Sequence, residues 1–109
     1  MTKLSKDETK AMMALYEKDL KFFQDAMRYK LEKNAHKGRW ENMTVEQVLF
    51  LLKQEVVELE EAIEKGNHVE IIMESADVAV FSMIAAVIAT EHATAKGKSD
   101  ENSDNTRTP

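Results

Sequence analysis

The sequence predicts an all-α fold: an antiparallel helical bundle of three main helices, completed by oligomerisation. Three observations carry this. Between Ser5 and Asn34 no proline or glycine interrupts a helix-favouring run. Two capping boxes, Ser5 with Glu8 and Thr44 with Gln47, mark helix starts at the sequence level. No segment alternates apolar and polar residues for long enough to compete with the helical period.

Helix one therefore spans roughly residues 5–34 and is long. His36 to Met43 contains Gly38 and reads as a loop. Helix two starts after Thr44 and runs to about Lys65, where Gly66 supplies the left-handed residue of a helix end and Asn67 with Glu70 caps the next helix. Helix three extends to about Ala95. These elements make one helical domain over residues 1–95. Residues 96–109 lack any large apolar side chain, cannot offset their ordering entropy and are expected to form a disordered tail.

Periodicity of about 100° per residue places Val45, Val48, Leu49, Leu52, Val56, Leu59 and Ile63 on one face of helix two, the expected core stripe. Glu46, Glu60, Glu61 and Glu64 lie away from it, interleaved with Lys53 and Lys65, as a solvated surface. Helix three is apolar all round from Ile71 to Val87, and a helix of that kind is buried on every side. Two other helices of one chain cannot cover it fully, so a homodimer or homotetramer is expected.

Composition narrows the function classes. With 15 Lys+Arg against 20 Asp+Glu, the net charge of -5 argues against a broad grip on duplex nucleic acid. The chain has no cysteine, hence no disulfide framework, thiolate metal site or thiol nucleophile. Its amino terminus is charged and lacks the apolar core of a signal peptide. The longest stretch free of formal charge, Val78 to Thr90, is 13 residues, short of the ~20 a spanning helix needs. A cytoplasmic protein with no membrane partner is expected.

The informative residues are two carboxylate pairs at helical spacing, Glu55 with Glu58 and Glu74 with Asp77. Glu55 and Glu58 fall at the edge of the core stripe, and Asp77 is the only charge between Ser75 and Thr90. A carboxylate held against apolar neighbours must be neutralised by a cation or a proton. If helices two and three pack antiparallel across Gly66, the pairs converge into a four-carboxylate cluster. Hard oxygen ligands suit Mg²⁺, with Mn²⁺ as a substitute, better than Zn²⁺. A di-iron bundle would need Glu-x-x-His pairs, but Lys33, Lys65 and Ala89 stand three residues before His36, His68 and His92. Mg²⁺ commonly bridges to substrate phosphates, which points to metal-assisted hydrolysis of a phosphate ester or anhydride.

Glu55-Val-Val-Glu58 followed by Glu74-Ser-Ala-Asp77 resembles the EExxE and ExxD motifs of the MazG-like all-α nucleoside triphosphate pyrophosphohydrolases, related to dimeric dUTPases and dCTP pyrophosphatases. The resemblance covers roughly residues 20–92, and His36-Lys-Gly-Arg-Trp40 is similar to segments that form an aromatic nucleobase pocket. Gln54 stands where the family's first Glu usually lies. The resemblance implies cleavage of a nucleoside triphosphate between the α and β phosphates, with Glu55, Glu58, Glu74 and Asp77 as metal-binding catalytic carboxylates. Arg39, Lys37 and Lys53 are the candidate phosphate partners. His36 is a candidate for a base or sugar contact, and Trp40 either stacks a nucleobase or plugs the core. Two other readings are a non-catalytic helical interaction protein and a nucleotide-binding protein that has lost turnover.

Overall fold

The structure, a computed structural model, describes residues 2–102, with side-chain surroundings through Ala93. It is all-α, as the sequence predicts: α1 (Lys6–Lys33), a 3-10 turn (Ala35–Lys37), α2 (Val45–Lys65) and α3 (His68–Asn102). Each start has a physical cause. The Ser5 hydroxyl accepts the Glu8 N–H at 3.0 Å while the Glu8 carboxylate accepts the Ser5 N–H at 2.8 Å, and Thr44 and Gln47 exchange the same pair at 3.1 and 2.9 Å. Asn67 accepts the Glu70 N–H at 3.1 Å. Gly66, at φ 68° and ψ 24°, ends α2 in the left-handed region and returns its N–H to the last turn.

The two-residue connection Gly66-Asn67 folds α3 back along α2. Val48, near the start of α2, packs with Val80, Ile84 and Ile88, which lie well along α3, so the two helices are antiparallel. Met27 and Leu31 of α1 close the same cluster from the other side. Thus α3 is the central helix, packed on both α1 and α2, which share no helix contact among the described residues. Ala76, Val80, Ile84 and Ile88 recur every four residues as its buried line.

Three expectations are modified. The line of α2 facing α3 runs through Val48, Leu52, Glu55, Leu59 and Ala62, so Glu55 is in that line rather than at its edge, while Leu49, Val56 and Ile63 are 45%, 38% and 56% exposed. The apolar arc of α2 is wider than one neighbour covers, and the tight Gly66 turn sets α3 over its carboxylate side. Second, α3 runs to Asn102, past the Ala95 boundary; residues 103–109 of the expected tail lie outside the described residues. Third, α3 is not buried all round within one chain, since Ser82, Ala86 and Ala89 are exposed. By length and composition an 18-residue window of its His68–Ala93 span, at mean hydropathy 2.0, is also apolar enough to cross a membrane, a composition that a core helix shares.

Candidate metal centre

The carboxylates meet because helical spacing and antiparallel packing coincide. Glu55 and Glu58 are one turn apart on α2, Glu74 and Asp77 one turn apart on α3. One carboxylate oxygen from each of Glu55, Glu58 and Glu74 lies within 4.8 Å of the others, a spacing that one cation can span. Asp77 adjoins this triad, and its Oδ2 receives the Lys30 ammonium at 3.0 Å, with both side chains largely shielded at 13% and 17% exposure. Of the four predicted carboxylates, then, three form the tight group and the fourth is held alongside by a lysine.

The group is electrostatically costly when ionised. Burial, then sharing with Glu58 and the charges of Glu58, Asp77 and Glu74, push the Glu55 carboxyl up to about 8. Burial, then the charges of Asp77 and Glu58, raise Glu74 as well, opposed by Lys30 and by hydrogen bonding with Glu55. Oε2 of Glu55 and Oε2 of Glu74 are buried with no donor among the described residues directed at them. A carboxylate oxygen shares a hydrogen bond with another carboxylate only if one holds a proton, so either a proton or a cation completes the site. The donor set is entirely oxygen and anionic, which fits Mg²⁺ or Mn²⁺.

A cleft of about 640 Å³ opens beside the carboxylates, lined by Glu55, Glu58 and Asp77 and by the large side chains of Trp40, Met43 and Phe81. Lys33, Lys37 and Arg39 stand on its rim. Gly38, at φ 83°, gives the connection the turn that returns Trp40 to the bundle. Trp40 packs against the Val48–Val80–Ile84–Ile88 cluster, as the core reading expects, and also lines the cleft. Its Nε1 is buried without a partner. The Arg39 guanidinium lies 4.2 Å from the Trp40 ring centroid and pairs with Glu91 at 3.5 Å and Glu41 at 3.9 Å.

Two predicted substrate residues are not brought to the cleft. Lys53 is exposed; two residues before Glu55, it projects from nearly the opposite side of α2. His36 is exposed on the 3-10 turn, whose other residues, Ala35 and Lys37, line the cleft instead. Gln54 is likewise exposed and does not line the cleft.

Lys30 is the site residue that sequence reasoning missed. Its signal was present: Phe23, Met27, Lys30 and Asn34 recur at helical spacing on the inner face of α1, and a lysine there implies an acidic partner. No family model, curated protein or solved structure matches the chain.

Proposed function

We propose that this chain is a Mg²⁺-dependent nucleoside triphosphate pyrophosphohydrolase, converting a nucleoside or deoxynucleoside triphosphate to the monophosphate and pyrophosphate. The observation that carries the reading is the convergence of Glu55, Glu58, Glu74 and Asp77, with two buried donor-less oxygens, beside a cleft that has an aromatic wall and a cationic rim. Glu55, Glu58 and Glu74 would hold the metal, with Asp77 adjoining. When bound, Mg²⁺ supplies charge neutralisation at the phosphates and acidifies water. Trp40 and Phe81 offer flat and apolar surface to a nucleobase. Arg39 and Lys37 are placed to take phosphate oxygens, Arg39 by exchanging its half-exposed pairing with Glu91. Lys30 fixes the orientation of Asp77. His36 and Lys53 have no part. The protein would act in the cytoplasm on the nucleotide pool, as a homodimer or homotetramer, without membrane or duplex nucleic-acid partners.

Gln54, replacing a carboxylate of the resembled motif, favours one second reading: a metal-dependent nucleotide-binding protein without turnover. One assay separates them. Each ribo- and deoxyribonucleoside triphosphate is incubated with Mg²⁺ and pyrophosphate is measured. Release from at least one nucleotide, lost on Glu74→Gln, is the enzyme's outcome. Metal-dependent binding with no pyrophosphate is the binding protein's. Neither binding nor release leaves a helical interaction protein.

A further inference from the structure

The outer half of α1 has no partner among the described residues of its own chain. Every residue from Thr2 to Phe22 is exposed, although α1 is continuous through them. Most helix stability in proteins comes from packing an amphipathic face against another element, which this half lacks. Met13, Tyr16 and Leu20, 44%, 49% and 49% exposed, continue at spacings of three and four the row that passes through half-buried Phe23 to Met27, which packs on the α3 cluster. The seam on α1 therefore runs on past the end of its covering.

A second seam is open on α2. Leu49, Val56 and Ile63 recur every seven residues, with half-buried Leu52 and Leu59 between them, in the a/d pattern that faces another helix. The two open faces match in length: Lys6–Phe22 extends about 25 Å and Leu49–Ile63 about 22 Å at ~1.5 Å per residue. The radius of gyration, 18.9 Å, far exceeds the ~13 Å of a compact domain of this size.

We propose that the occupant of both seams is a second copy of this chain, with the outer half of α1 lying along the Leu49–Val56–Ile63 face of α2 in its partner, and reciprocally. Self-pairing is favoured because one two-fold operation covers both seams and leaves no open end. These six side chains alone expose roughly 500 Å² per copy, and their neighbours bring the contact toward the ~800 Å² per partner of a stable interface. The inference locates the oligomer contact on α1 and α2. It rests on helix surfaces and is independent of the catalytic reading.

The chain's lack of cysteine makes the test direct. Single-cysteine chains at Met13, Tyr16 or Leu20 are mixed with chains carrying one cysteine at Leu49, Val56 or Ile63 and oxidised. At least one α1–α2 mixture is expected to give a disulfide-linked dimer, which needs Cα atoms within ~7 Å, while mixtures within one helix give none. By light scattering the native protein is expected at twice 12.4 kDa or a multiple of that. Leu20→Lys and Val56→Glu are each expected to lower the mass toward one chain, and their equimolar mixture to restore it, which separates interface loss from misfolding. A 12.4 kDa native monomer, links confined to α1–α1 or α2–α2 mixtures, or an oligomer untouched by both substitutions overturns the inference.

Discussion

Glu55→Gln tests the electrostatics of the carboxylate group without changing its shape. The Glu55 carboxyl is pushed up to about 8 from an ordinary 4.5, mainly by burial and by the acids around it. At ~1.36 kcal/mol per pH unit, holding its proton at pH 7 costs folding about 3 kcal/mol relative to the unfolded chain. Partial exposure of the side chain screens this to roughly 1–2 kcal/mol. Glutamine removes the cost and supplies an N–H donor to the neighbouring carboxylates. The metal-free variant is therefore expected to melt roughly 5–10 °C above the native protein at pH 7–8. The native protein in turn is expected to gain about 2.7 kcal/mol when Mg²⁺ is supplied at ~100 times its dissociation constant, and Glu55→Gln to lose most of that gain. Thermal denaturation by circular dichroism, with Mg²⁺ and with chelator, reads both effects. A variant that melts at or below the native temperature in chelator, or that keeps the full Mg²⁺ increment, refutes the reasoning.

Further outcomes follow from the same geometry. Across pH 4.5 to about 8 the folded chain keeps a proton on Glu55 that the unfolded chain has released, so metal-free stability falls as pH rises through that window; urea midpoints over pH 5–8.5 should decline, and Mg²⁺ should flatten the decline. Lys30→Met leaves Asp77 shielded without its 3.0 Å partner and should cost roughly 2–3 kcal/mol at pH 7 in urea unfolding. The same substitution removes a positive charge beside the triad and should tighten Mn²⁺ binding, the opposite of what general damage does. Gly66→Ala meets no atom within 4 Å but must hold φ 68°, so it should cost about 1 kcal/mol in thermal melts through backbone strain alone.

Helix starts were legible because they are local: Ser5/Glu8, Thr44/Gln47 and Asn67/Glu70 each encode a hydrogen bond within four residues. The carboxylate cluster was legible because Glu55/Glu58 and Glu74/Asp77 share helical spacing and a turn too short to separate them. What the sequence left open depended on which side of a wide apolar arc another helix would choose. Leu49, Val56 and Ile63 are as apolar as Val48, and only the placement of α3 makes Val48 core and the others surface. Lys53 and Lys30 show the same limit in charge. Lys53 neighbours Glu55 in sequence yet projects away from it, while Lys30 comes from another helix and reaches Asp77. Pairing across helices is a tertiary fact, and a single lysine in an inner row is its only trace in the sequence.

The central claim is that the acids of α2 and α3 hold one divalent cation between them, and Mn²⁺ titration followed by electron paramagnetic resonance tests it most directly. Stoichiometric loss of the free Mn²⁺ signal is expected with the native chain, competed by Mg²⁺ and weakened at least tenfold by Glu55→Gln or Glu74→Gln. A native chain that leaves the Mn²⁺ signal free, or glutamine variants that bind as tightly as the native chain, would contradict it.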